Sequence, residues 1–470
     1  MNRYCLSAVW KGIVAEVLSS DVLKEEASFL ADLIIHKYTS ENGGLFEKVD
    51  VREGKAVVSE CAVDELGDYI QYIIYLGILT SNSHYVDWAI NNMALIARNY
   101  QSEKGLLYNS PQCNPVQKNL LSLNNADTLT GLVSSYIYTD SYLLKAIIVK
   151  FVNGTLRYFI NRNYLTYGYL LGDRFRLSIS SLLFAAYFIE ETLYFMEYEG
   201  DWHDFNKIKD VIDANLSNPY FLKYGIFQAR IPLGMSGAFW HFFYRFFKRD
   251  SLDKTFLVKD NIYLIFALLK YYAIVEDDDI RDVIFRTYDK LLAAFTKDDL
   301  VYNCWIPERG CVGGPSPLAL SHSIIELQLD LYHQFNDRNY LRQAVKLTER
   351  WLERQSSLGV INEGLSDDEH YALLDPNVDF AINLVKLSEK TGHTRYMEKA
   401  FEIGKGLIEY FKDSAGYHWR IDTINGRFLH TTIETKYLGL LLKLFLVLME
   451  ANNKQMIFEN YLLRNLARDR

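Results

Sequence analysis

One unit recurs seven times along the 470 residues. It consists of a helix start followed, about twenty residues on, by a loop carrying a short apolar or aromatic strand. The helix starts pair an aromatic or aliphatic residue with Ala four positions later: Leu23/Ala27, Tyr85/Ala89, Tyr142/Ala146, Tyr340/Ala344 and Tyr396/Ala400, with weaker copies at Phe205/Lys209 and Ile280/Ile284. The loops contain Gly44-Leu45-Phe46, Gly105-Leu106-Leu107-Tyr108, Gly168-Tyr169-Leu170, Gly225-Ile226-Phe227, Leu300-Val301-Tyr302, Gly359-Val360-Ile361 and Gly416-Tyr417-His418-Trp419. A fixed period is the mark of stacked supersecondary units, each too small to bury its own apolar face. Length alone suggests two or three domains, but copies spread over the whole chain argue for one domain, 1–470.

Each opening helix has apolar residues at i, i+3, i+4 and i+7, the pattern of an amphipathic helix. Asp21, Ser83, Asp140, Asp337 and Thr394 supply capping chemistry near the starts. Between each loop and the next start runs a second helix, over 64–79, 124–139, 174–195, 316–335, 373–390 and 430–450, apolar on most sides and so expected to be buried on most sides. Alternating outer and inner helices predict an all-α fold, an (α/α) toroid of about seven hairpins with short β-strands in the loops on one face. The fourth unit is longer than the others, and an aromatic-rich insertion near 234–257 absorbs the surplus, either as a surface helix or as a wall over a cavity.

Composition narrows the function. Hydrophobic residues make up 49% and charged residues 23%, ordinary for a chain with a large core. A net charge of −9 with no Lys/Arg cluster argues against a nucleic-acid partner. The longest apolar run, Tyr437 to Met449, is interrupted by Lys443 and too short for a membrane span, so no membrane partner is expected. Five scattered cysteines suit a reducing, cytoplasmic setting, although Cys304 and Cys311 flank one loop and are close enough in sequence to meet. The first residues lack the apolar run and small-residue cleavage site of a secretory leader. Thirty-four tyrosines serve equally as core-and-rim residues and as stacking surfaces for sugar rings. No GxSxG, HExxH, Walker A or GxGxxG motif occurs, and no metal site or cofactor is expected.

In a toroid all the outer-to-inner loops emerge on one face, and this selects the candidates. The first loop leads to Asp64, Glu65 and Asp68, which serve as helix-start acids or as proton donors and acceptors. The third carries Arg174, a clamp for an anion or hydroxyl or a member of an Arg–Asp network. The fourth supplies Trp240 and His241, and the fifth Trp305, Glu308 and His322 in a long Gly/Pro-rich stretch. The sixth crowds Glu363, Asp367, Asp368, Glu369, His370, Asp375 and Asp379 together. Carboxylates so close repel, and one of them can hold a raised pKa and act as a proton donor. The seventh gives Tyr417, His418, Trp419 and Arg420, then Glu434 at the start of the last inner helix.

The openings TGHTRYMEKA and NDRNYLRQA, with the repeated hairpin, resemble the six- and seven-hairpin toroids of carbohydrate-active enzymes, including class I α-mannosidases and N-acylglucosamine 2-epimerases. TTIETKYLGLLLKLF (431–445) is similar to the final inner helix of the α-mannosidases, with Glu434 at the position of their glutamate. Their calcium-binding Thr has no counterpart, because no Thr follows Thr435. The resemblance implies a glycoside hydrolase-like enzyme acting on a sugar or oligosaccharide in a central cavity. Paired carboxylates would do the chemistry: Glu65 with Glu434, and Glu363 and Asp368 as competitors. Trp305, Trp419 and Tyr417 are then stacking platforms. The epimerase group implies a pair of histidines instead, drawn from His241, His370 and His418. A carbohydrate-binding scaffold without catalysis is the third reading. Oligomeric state is not legible.

Overall fold

The computed structural model describes residues 18–453 except 47, 51–54, 57–60, 63–65, 108–124, 168–178, 232, 234–254, 298–299, 316–317 and 367. Seven amphipathic helices are present among them: Ser20–Leu33, Ser83–Tyr100, Tyr142–Tyr158, Phe205–Leu216, Asp278–Phe295, Arg338–Leu352 and Thr394–Tyr410. Seven apolar helices alternate with these: Leu66–Thr80, Asn125–Thr139, Leu182–Glu199, Val258–Val275, Leu318–Phe335, Leu374–Thr391 and Leu438–Asn453. The amphipathic set and six of the apolar helices follow the sequence reading; Val258–Val275 is an inner helix that it did not give.

The chain divides into two compact units, one of Met1–Cys61, Asp68–Asn91 and Pro317–Arg470, the other of Ala62–Gly67 and Asn92–Ser316. In the first unit the apolar helices Leu318–Phe335, Leu374–Thr391 and Leu438–Asn453 lie side by side. Helices Arg338–Leu352, Thr394–Tyr410 and Ser20–Leu33 cover them in that order. The second unit repeats the scheme, with Asn125–Thr139, Leu182–Glu199 and Val258–Val275 inside and Tyr142–Tyr158, Phe205–Leu216 and Asp278–Phe295 outside. Leu441, Leu442, Leu444, Leu446 and Leu448 are fully buried, each stabilising the fold by about 2 kcal/mol.

The turn from an apolar to an amphipathic helix is built the same way six times. The first residue after the apolar helix takes a left-handed backbone: Ser81 (φ 54°), Asp140 (53°), Gly200 (68°), Glu276 (51°), Asn336 (55°) and Gly392 (72°). That conformation stops the helix and turns the chain within a few residues. The opposite turn recurs three times. Gly43, Gly105 and Gly359 have φ of 94°, 90° and 85°, and their N–H groups donate to Ser40, Ser102 and Ser356. Thr39, Gln101 and Gln355 then bridge to Leu45, Leu107 and Ile361. The turn glycine of the first copy is therefore Gly43, one residue before the one the repeat singles out.

Two of the seven repeat pairs do not lie on the buried face of their helix. Tyr142 is 84% exposed, and Ala146 faces out with it; Leu144 and Ile148 fill the packing face instead. In Phe205–Leu216 the buried pair is Ile208/Ile212, not Phe205/Lys209. Both helices carry apolar residues at two candidate registers. Cys304 stands opposite Val312, and Cys311 opposite Trp305. Adjacent strand positions point to opposite faces, so the two thiols do not meet. Of the insertion, 234–254 lies outside the described residues, and Phe256–Leu257 forms a strand against Cys304 and Trp305. No described helix is long and apolar enough to cross a membrane.

Candidate active site

Asn377, the fourth residue of helix Leu374–Thr391, is fully buried. It accepts from the Ile361 N–H (2.7 Å) and donates to the carbonyls of Leu373 (2.9 Å) and Ile361 (3.4 Å). This clasp ties the loop's first strand residue to the helix start, and the intervening chain must fold back on itself. Asn362 holds it there, accepting from the N–H groups of Tyr371 (3.0 Å) and Gly364 (3.4 Å). The Arg354 guanidinium donates to the Asn362 and Gly364 carbonyls. Strand Tyr371–Leu373 pairs antiparallel with Arg420–Asp422, Leu373 opposite Arg420.

Glu363 is enclosed at the centre of this fold-back, fully buried. Its Oε1 accepts from the Leu373 N–H at 3.0 Å, and its Oε2 has no partner among the described residues. Burial pushes the carboxyl well above the usual range; the Leu373 N–H opposes this, Asp375 adds to it, and Arg420 opposes it. Burial therefore favours the protonated form of Glu363. The Arg420 guanidinium lies over the Tyr371 ring at 4.2 Å, and its Nε lacks a partner among the described residues.

Glu434 reaches the same neighbourhood through Tyr437. Strand Thr432–Glu434 pairs with Lys48–Asp50, and the Glu434 carboxylate meets Lys48 at 3.2 Å and Lys436 at 3.5 Å. The Tyr437 hydroxyl is pushed up by burial and then by Asp375, with Lys436 opposing and Glu434 adding to the shift. The charge of Asp375 thus acts on both Glu363 and Tyr437, and that of Glu434 acts on Tyr437.

A polar stripe continues down the inner helices. Asp375, Asp379, Asn383 and Lys386 share a face of Leu374–Thr391 by their spacing. His322 Nε2 lies 3.5 Å from Asp379 Oδ2, Asn383 donates to the His322 carbonyl at 2.8 Å, and Lys386 meets Glu326 at 3.1 Å. Burial works against charge on Glu326, but Lys386, Lys443 and His322 outweigh it and bring its carboxyl down to about 2.

The other sequence candidates scatter. Asp368 and His370 are exposed. Tyr417 is fully buried and donates to Glu26 at 2.7 Å, so it offers no stacking surface. His418 is buried too, with Nε2 2.9 Å from Asp413 and its ring stacked on Phe428; it is a packed residue, not half of a facing pair. Trp419 stacks on His430 at 4.3 Å and stays half-buried. In the second unit Trp305 packs edgewise against Tyr224 and Phe256, a structural cluster, and Glu308 is exposed. Asp64, Glu65, Arg174, Trp240 and His241 lie outside the described residues, as does the side chain of Asp68 in helix Leu66–Thr80.

Sequence reasoning missed Asp260, in the first turn of helix Val258–Val275. Burial pushes its carboxyl up to about 7, against Arg230 and Lys259. The next residue, Asn261, is again fourth in its helix and clasps the Phe227 N–H (2.7 Å) and carbonyl (2.9 Å) and the Leu257 carbonyl (2.8 Å). An Asn at the fourth position of an inner helix, present in two copies, was the available signal. Among the described residues no three His, Cys, Asp or Glu side chains gather as metal ligands.

No family model matches the chain, and no curated relative matches it in sequence. Solved structures match it over nearly their full length. A D-mannose isomerase superposes with a TM-score of 0.56 at 12% identity, covering 92% of this chain and 98% of its own. A GH76 α-mannanase of Bacteroides thetaiotaomicron gives 0.56 at 14%, covering 94% and 98%. A sugar epimerase from a ruminal bacterium gives 0.56 at 11%, covering 93% and 100%. At these identities the likeness is one of fold, and the fold is the (α/α) toroid of sugar-acting enzymes that include both hydrolases and isomerases.

Proposed function

We propose that the chain is a carbohydrate-active enzyme of glycoside hydrolase-like chemistry, acting on a sugar or oligosaccharide. The observation that carries this reading is Glu363: a fully buried carboxyl with one backbone N–H on Oε1 and no partner on Oε2 among the described residues, whose burial favours the protonated form, beside the lysine-paired carboxylate of Glu434 in the same unit. An acid and an ionised carboxylate held in different environments are the two parts of glycosidic cleavage. In this reading Glu363 protonates the leaving oxygen through Oε2, which requires the fold-back that encloses it to open, and Glu434 activates water or attacks the anomeric carbon. Trp419 and Arg420 border the site as sugar contacts.

The His322–Asp379 contact favours a second reading, a sugar epimerase or isomerase, in which the histidine removes a C–H proton next to a carbonyl and the carboxylate orients it. Incubation of the protein with a panel of oligosaccharides and reducing sugars in D2O separates the two. Hydrolysis releases new reducing ends without exchange at carbon; epimerisation incorporates deuterium at C2 without new ends. Glu363→Gln should lower kcat about 10²–10⁴-fold with the circular dichroism spectrum unchanged. Full turnover by Glu363→Gln, with loss in His322→Asn, would sink the hydrolase assignment. Binding without turnover of any sugar in the panel would leave a scaffold and sink both.

A further inference from the structure

The outward-facing Tyr142/Ala146 pair lies on a groove that the proposed function does not use. It runs along helix Tyr142–Tyr158 in the second unit, with a volume of about 530 Å³, within the range of small-ligand sites. Tyr142 presents its ring, and Lys150, Asn153 and Arg157 follow on the same exposed face. Lys104 borders it from the preceding turn, its Nζ 5.1 Å from the Tyr158 ring, with the Arg157 guanidinium 5.4 Å from the same ring. Glu103 is the acid in the lining. Lys145 is already paired with Glu199, whereas Lys150 and Arg157 have no ion-pair partner among the described residues.

The groove is built rigidly. A Cβ on Gly154 would sit 2.2 Å from the Lys104 carbonyl oxygen, and one on Gly105 2.0 Å from that of Lys150, so the two backbones touch. The first unit repeats this contact: Gly406 against Leu358 (2.4 Å) and Gly359 against Glu402 (2.8 Å). Aligned on these glycines, Lys150 corresponds to Glu402, Arg157 to Glu409 and Lys104 to Leu358. There the acids are neutralised on their own helix by Lys399 and Lys405. The scaffold therefore does not require a basic face; the second unit has one on a chain of net charge −9.

We propose that this groove binds a carboxylate-bearing (uronate) oligosaccharide. The Arg157 guanidinium matches a planar carboxylate, Lys150 and Lys104 supply further positive charge, Asn153 serves hydroxyls, and the bare Tyr142 ring stacks on a sugar face. The site is independent of turnover at Glu363. Calorimetric titration of the full chain with trigalacturonate, the neutral galactotriose and triglutamate tests it. Trigalacturonate binds, and weakens as salt is raised; the other two bind at least tenfold more weakly, by roughly the contribution of one charge-assisted contact or one stacked ring. Lys150→Glu/Arg157→Glu abolishes measurable binding and Tyr142→Ala weakens it, both with native circular dichroism. Equal binding of galactotriose or triglutamate, no binding of trigalacturonate, or binding that survives these substitutions would overturn the proposal.

Discussion

The entrances to helices Leu374–Thr391 and Val258–Val275 share one device and differ in what they enclose. In both, the fourth helical residue is a buried Asn that grips the N–H and C=O of the preceding loop strand, Ile361 in one and Phe227 in the other. In the first, the fifteen residues between Ile361 and Asn377 fold back within the clasp and enclose Glu363, an acid of the loop. In the second the span is longer, and the buried acid, Asp260, belongs to the helix itself. Glu363 is bonded by one backbone N–H, whereas Asp260 faces two cations, Arg230 and Lys259. The repeated part fixes backbone against backbone. The acid is placed by whatever chain lies between the gripped ends, so chemistry varies while the frame does not.

The largest expected effect separates the two acids by pH. Both have raised folded-state values, so between the unfolded and folded pKa the folded chain holds a proton that the unfolded chain has lost. Stability therefore falls as pH rises across that window. For Asp260 the window runs from 3.8 to about 7, and the full loss is up to about 4 kcal/mol. Asp260→Asn should remove this slope, gaining on the parent steadily from pH 4 to 7 in urea unfolding. Glu363→Gln should do the same from 4.5 upward. A parallel pH dependence of parent and Asp260→Asn would mean that Asp260 ionises normally, and the contrast between the two entrances would be lost.

The clasps come next. Asn377→Ala leaves the Ile361 N–H and C=O buried without their partner and opens a small cavity, for about 3 kcal/mol. Asn261→Ala should cost about the same, because its three bonds are the same three. Equal losses in urea unfolding would mark the clasp as frame. A loss confined to Asn377 would tie it to Glu363 instead.

The sequence made the frame legible because a helix records its buried face in its own spacing. All seven starts and six of the seven inner helices were readable for that reason; Val258–Val275 was not among those read. Rotation about the helix axis was not always so. At Tyr142 and Phe205 two overlapping apolar stripes compete, and spacing alone does not choose between them. The site was legible only as a crowd of acids. Glu363 differs from Asp368 by enclosure under Tyr371 and Arg420, and that depends on a strand pairing between residues about fifty apart in sequence. Asp260 was invisible for the same reason, since Arg230 and Lys259 flank it in space and only Lys259 does so in sequence. The histidines misled because His418 reads like a site residue while Asp413 and Phe428 hold it in the packing.

The smallest effect tests the six left-handed turns, which occur in both units and are filled differently. Gly392 and Gly200 adopt φ of 72° and 68° without penalty, whereas Glu276 is forced to 51°. A side chain in this region pays roughly 1 kcal/mol, from contact between its Cβ and the backbone. Glu276 also follows a buried helix directly and donates its N–H to the Tyr272 carbonyl at 2.8 Å, a bond that glycine keeps. Glu276→Gly should therefore stabilise the chain by a little under 1 kcal/mol, the relief of strain being partly offset by the greater freedom of glycine in the unfolded chain. Gly392→Glu should lose about the same amount, since nothing lies within 4 Å of the added Cβ and backbone strain is the whole cost. Urea midpoints moving in opposite directions by similar amounts would show the turns to be interchangeable parts. A loss in Glu276→Gly would mean that this carboxylate contributes something the other five turn residues do not.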